Sequence, residues 1–220
     1  MEKAKDYIVK ARFWDENKVT YRNETKIIFK GNENKCIGIV NKCIGIVLLL
    51  NPGSCEPKKG EKPITKEKQI LLCKTDLTIR KVEETIRIAY DNYYDKLNGY
   101  VFIVNLCDKK EKSKNLIKKD FEETDGKDKD AVKEIENKIN EPPKQVEWIW
   151  VGFGEDSYGK DKEYVADLKK CVLKQLNERF EDKTVGKSIN YTHPQRFQFD
   201  KSKHKQQIII KEIESKLQNP

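Results

Sequence analysis

The sequence predicts an α/β fold in three layers, with a mainly parallel four-stranded sheet between helices and antiparallel strands added at the N-terminus. Three observations predict it. Residues 44–50, 99–105 and 146–151 are nearly continuous apolar runs, the pattern of strands buried on both faces. Residues 76–90 and 164–180 carry apolar stripes at helical spacing. Strands and helices alternate along the chain, and that order implies parallel strands joined by crossovers with both faces covered.

Each element has a local reason. Residues 7–14, 19–22 and 26–29 are rich in β-branched and aromatic side chains, broken by Asp15, Glu16, Asn17, Asn23 and Glu24. They read as an antiparallel lead-in. The heptapeptide Asn34-Lys35-Cys36-Ile37-Gly38-Ile39-Val40 then recurs unchanged at 41–47. A seven-residue period is too short for a solenoid unit, so this is a local tandem duplication. Only one copy can run directly into Leu48, Leu49 and Leu50, and the other is expected as an extended edge or loop. Residues 56–68 are rich in Lys and Pro and read as a loop. Asp76 is a candidate N-cap for a helix that buries Ile79, Val82, Ile86 and Ala89. Residues 108–145 are charged, with a solvated helix expected near 128–140 ahead of Pro142 and Pro143. The helix at 164–180 presents Val165, Leu168, Val172 and Leu176 on one face. Residues 187–192 read as a short fourth strand, and 208–217 as a closing helix or strand. One α/β domain over 1–220 is expected: a β lead-in at 1–33, a core at 34–200 and a basic C-terminal tail or helix at 201–220.

A chain of 220 residues can bury a sizeable core. Charged residues make up 37% and the net charge is +8. That balance suits a polyanionic partner such as nucleic acid, although a solvated Lys/Glu surface also accounts for it. No stretch approaches the ~18 apolar residues of a membrane span, and residues 1–6 lack the apolar core of a secretory signal. A cytoplasmic protein with no membrane partner is expected. Its six cysteines, Cys36, Cys43, Cys55, Cys73, Cys107 and Cys171, are then reduced thiols. None has metal-ligand spacing, so neither a metal nor another cofactor is expected. Cys55 and Cys107 stand close enough to the strand ends to line a site. P-loop, GxGxxG and HExxH patterns are absent, which removes the common nucleotide hydrolases, dehydrogenases and zinc proteases.

Ligands of open α/β sheets sit beyond the carboxyl ends of the strands. In this chain those ends carry Asn51-Pro52-Gly53-Ser54, Asn105, Gly152-Phe153-Gly154 and His193-Pro194. That ordered set resembles the uracil-DNA glycosylase superfamily. Leu50-Asn51-Pro52-Gly53 is similar to the first motif of its mismatch-specific and single-strand-selective branches. Thr192-His193-Pro194-Gln195-Arg196 is similar to its last motif. A closer likeness is to a family of bacterial and phage proteins without a settled function. They share a Leu-Asn-Pro-Ser-Thr type motif, an Asp-x-Thr-Ile-Arg helix start, a Val-Val-Asn-Leu strand end and a late His-Pro. The corresponding residues here are Leu50 to Ser54, Asp76 to Arg80, Val104-Asn105-Leu106 and His193-Pro194.

The resemblance implies a DNA partner, base flipping and hydrolysis of an N-glycosidic bond. Under it, Asn51 holds the attacking water and His193 donates to the carbonyl oxygen of the leaving base. Asn105 reads the base edge, Pro52, Gly53 and Ser54 shape the pocket, and the Gly53 and Ser54 amides offer an alternative phosphate cradle. The stacking aromatic is Phe153 or Tyr158, with Trp150 better placed as core. Arg196 and Phe197 would enter the duplex, and Lys201 and Lys203, with His204, Lys205 and Lys211, would meet phosphates. The fastest members of the superfamily carry Asp in the first motif, and Asn cannot serve as a general base. Three functions therefore stand: a glycosylase for uracil or another altered base, a nucleic-acid or nucleotide-binding module, and an enzyme on free nucleosides or nucleotides.

Overall fold

The computed structural model describes residues 7–16, 19–29, 42–50, 53–58, 69–108, 131–141, 146–154 and 162–218. Its strands are β1 (Tyr7–Glu16), β2 (Val19–Phe29), β3 (Cys43–Leu49), β4 (Glu56–Pro57), β5 (Gln69–Lys74), β6 (Gly99–Asn105), β7 (Trp148–Val151) and β8 (Thr184–Val185). Its α-helices are α1 (Leu77–Ala89), α2 (Ala131–Asn140), α3 (Lys162–Phe180) and α4 (Asp200–Gln218). All eight strands join one mixed sheet in the order β4-β5-β1-β2-β6-β3-β7-β8. The expected mainly parallel four-stranded sheet is corrected on this point. Four pairings are antiparallel and three are parallel, joining β6, β3, β7 and β8. The N-terminal strands are no appendage, because β2 pairs directly with β6.

Side-chain alternation divides the core in two. Val47 and Leu49 of β3, Val101 and Ile103 of β6, and Trp148 and Trp150 of β7 pack with α1 and α4. Ile46 and Leu48, Tyr100, Phe102 and Val104, and Ile149 and Val151 pack with α2 and α3. Every residue of β3 and β6 is buried, as strands covered on both faces require. Helix α1 buries Ile79, Val82, Ile86 and Ala89 behind the Asp76 cap. Helix α3 buries Val172 and Leu176 with Leu168 partly covered. The side chain of Val165 lies outside the described residues.

The second copy of the duplicated heptapeptide supplies β3, and the first lies outside the described residues. Gly45, in that copy, admits the indole of Trp148: a Cβ there would stand 2.3 Å from its ring. Two further expectations are corrected, at residues 56–57, read as loop but paired as β4 with β5, and at residues 187–192. Residues 69–74, left without a role by their sequence, form β5 against β1. Residues 187–192 are not a strand. The fourth parallel strand is Thr184–Val185, and Gly186, Asn190 and Tyr191 adopt positive φ, which ends extended structure. Of the forms expected for the C-terminal residues, helix is the one taken: Asp200–Gln218 is α4, which buries Gln206, Ile209, Ile210, Ile213 and Leu217.

Three outcomes follow. Gly45→Ala forces the Trp148 ring off β3 and is expected to cost about 1–3 kcal/mol, read as a lower urea midpoint at unchanged m-value. Burial pushes the Cys43 thiol up from 9.0 to about 12. The unfolded thiol ionises first, so this contribution is whole below pH 9 and is lost as pH rises toward 12. Stability should fall across that alkaline window, less steeply in Cys43→Ala. At neutral pH the exposed Cys171 should react with a thiol reagent ahead of buried Cys43, Cys55 and Cys73.

Candidate functional site

The parallel block runs β6-β3-β7-β8, so the chain leaves β3 toward one side and β7 toward the other. Such a reversal opens a crevice at the carboxyl ends of β3 and β7. Asn51 and Pro52, which follow β3, lie outside the described residues, as does Tyr158. Gly53 has φ +66 and Ser54 is exposed. This turn is tied to α1 by one carboxylate. Asp76 accepts from the Ile79 amide through Oδ1 at 2.9 Å and from the Cys55 amide through Oδ2 at 3.1 Å. The N-terminus of α1 is thereby occupied by the chain's own anion. Cys55 is buried on the α1 side, whereas Cys107 packs on the other face.

Asn105 ends β6 in register with Leu49. It alternates with Ile103 and so shares the face of α1 and α4. It is 0% exposed, and neither Oδ1 nor Nδ2 has a hydrogen-bond partner. Buried amides are nearly always satisfied, so this one stands out among the described residues. The Oγ1 of Thr25, opposite Ile103 on β2, is likewise buried without a partner. So is Nε1 of Trp150 on β7, which lies 3.4 Å from where a Gly152 Cβ would be. All three side chains occupy one face at one end of the sheet.

The turn that follows β7 at Gly152 and the His193-Pro194 turn also meet. A Cβ on Gly152 would contact Pro194 at 3.1 Å, and one on Gly154 would reach the His193 Cβ at 3.6 Å. The Gly154 amide donates to the Tyr191 carbonyl at 2.8 Å. His193 caps the short helix Pro194–Gln198, its Nδ1 accepting from the Gln195 amide at 3.3 Å. An accepting Nδ1 puts the proton of neutral imidazole on Nε2, the nitrogen a donor role requires. The preceding Thr192 is buried, donating to the Ile189 carbonyl and accepting from the Lys205 ammonium at 2.9 Å. Lys205 therefore braces the His-Pro turn rather than standing on an open basic face. Lys169 braces the other side, donating to the Gly154 carbonyl at 2.8 Å.

Two aromatic assignments are corrected. Phe153 is buried in the α2/α3 core beside Tyr191 and under the Lys169 ammonium, on the face away from Asn105. Phe197 is 1% exposed and stacks on Trp150 with ring centroids 5.9 Å apart, so it is core and not a wedge for a duplex. Arg196 and Lys201 are exposed, and Lys203 pairs with Asp200 at 2.6 Å.

Sequence reasoning missed Arg22. Its strand places it in phase to face outward, but Glu24 adopts φ +46 and the β1–β2 register shifts there. The extra residue turns Arg22 inward opposite Phe13, where it is 1% exposed. Among the described residues no group of three His, Cys, Asp or Glu side chains could hold a metal ion, and no helix is long and apolar enough to cross a membrane.

Asp76→Ala should cost about 1–2 kcal/mol by loss of the cap and also release the Cys55 amide. Asp76→Asn keeps the cap and should recover most of that loss in a thermal melt. No protein-family model, curated protein or solved structure matches this chain.

Proposed function

We propose that the protein binds a flipped nucleobase at the carboxyl ends of β6, β3 and β7 and hydrolyses its N-glycosidic bond, as a DNA glycosylase-like enzyme. The observation that carries this reading is the Asn105 carboxamide, fully buried with a donor and an acceptor both unmet. A pyrimidine edge offers the matching acceptor and donor in one plane, and the burial makes discrimination against a mismatched edge severe. The motif likeness to the uracil-DNA glycosylase superfamily points the same way, and so does the parallel block with its reversal between β3 and β7.

In this reading, Nε2–H of His193 stabilises the negative charge that develops on a carbonyl oxygen of the departing base. Asn51 orients the water through its amide. DNA phosphates meet exposed Arg196 and Lys201, and the net charge of +8 favours the encounter. A second reading, binding without cleavage, is favoured by Asn rather than Asp at position 51, since no carboxylate there can take the water's proton.

The test uses labelled single- and double-stranded oligonucleotides carrying uracil, mismatched thymine or hydroxymethylated pyrimidines, with alkali revealing abasic sites. Wild type is expected to release one base class. Asn105→Ala and His193→Ala should each lower the rate by about 100-fold or more. Release that persists in both variants would sink the assignment. Salt-sensitive DNA binding without release would establish the second reading, and turnover of free nucleosides alone would point to a small-molecule enzyme.

A further inference from the structure

Arg22, Thr25 and Asn105 lie on one face of the sheet at its ligand end. Thr25 stands opposite Ile103, two positions before Asn105, and the Arg22 amide donates to the Asp108 carbonyl at 2.8 Å, three positions after it. Thr25 and Arg22 on β2 are therefore in register on either side of Asn105, on the same face of the sheet. All three residues are at least 99% buried, and the Thr25 hydroxyl and both amide atoms of Asn105 are unmet. Burying a guanidinium is costly, and a sheet spends a bulge at Glu24 to achieve it. Bulges that re-aim one side chain cluster beside functional sites. A guanidinium with its rigid fork of donors, next to a hydroxyl and an amide N–H, is the chemistry that binds a phosphate.

We propose that Arg22 and Thr25 form a phosphate subsite contiguous with Asn105, so that the ligand is a nucleotide unit held by its phosphate and its base together. This rests on the base-site reading for Asn105 and adds the class of ligand: a phosphorylated nucleoside is taken, and a bare base or nucleoside is discriminated against. The phosphate belongs either to a mononucleotide or to the backbone of a DNA strand, and the chemistry at Arg22 is common to both.

The experiment is calorimetric titration of the full chain with four probes. They are 2′-deoxyuridine, its 5′-monophosphate, a trinucleotide with a central 2′-deoxyuridine, and inorganic phosphate. Wild type is expected to bind a phosphorylated probe at least about tenfold more tightly than the nucleoside, the range of a charge-assisted pair. Arg22→Gln should erase that preference. Thr25→Val, matched in shape, should reduce it a few-fold and keeps the test valid should Arg22→Gln fail to fold. A preference for the monophosphate over the trinucleotide identifies a mononucleotide ligand, and the reverse identifies a strand. Inorganic phosphate binding that depends on Arg22, with no nucleoside binding, upholds the subsite and removes the base reading. Equal affinity for nucleoside and phosphorylated probes overturns the proposal, as does a preference that survives both substitutions, and so does failure of all four probes to bind.

Discussion

Strand β3 has no exposed residue between Cys43 and Leu50, and the rest of the molecule is arranged around that fact. A strand covered on both faces must have a neighbour on each edge, and β6 and β7 supply them in parallel. Gly45 allows the largest buried ring, Trp148, to lie against the strand where any side chain would collide. That contact sets how β7 runs beside β3, and β7 in turn carries Gly152 and Gly154 to the His193-Pro194 turn. Packing of one glycine thus reaches the far end of the sheet through rigid strands.

The polar residues at that end are arranged against the ordinary economy of a core. Asn105, Thr25 and Trp150 leave hydrogen-bonding atoms unmet on one face, and each such atom costs about 1–3 kcal/mol. The surrounding contacts hold the cluster in place. Asp76 ties the turn after β3 to α1, while Lys205 and Lys169 hold the two glycine- and histidine-bearing turns. The opposite face of the same strands is apolar and closed by α2 and α3. The unmet polar atoms at the strand ends therefore lie on the α1/α4 side.

Much of this was legible in the residues. The runs at 44–50 and 99–105 declared strands buried on both faces, and Asp76 with its apolar stripe declared α1, because hydrophobic period alone decides such elements. Asn105 was legible as a strand end but not as an unsatisfied one, since satisfaction depends on neighbours distant in sequence. Strand β5 was hidden because a short strand with exposed Ile70 lacks a clean alternation. Arg22 was hidden for a different reason. Alternation assigns it outward, and only the bulge at Glu24 reverses its phase. Phe153 and Phe197 stand beside the motifs in sequence, yet backbone turns send both into the core.

The duplicated heptapeptide bears on how the chain folds. Two identical segments, Cys36 to Val40 and Cys43 to Val47, can each begin the same central strand with the same side chains on the same faces. What separates them is the continuation. The second copy runs into Leu48, Leu49 and Leu50, whereas the first would drive Asn41 and Lys42 into a fully apolar layer. The early half of the strand is thus degenerate and the late half decides.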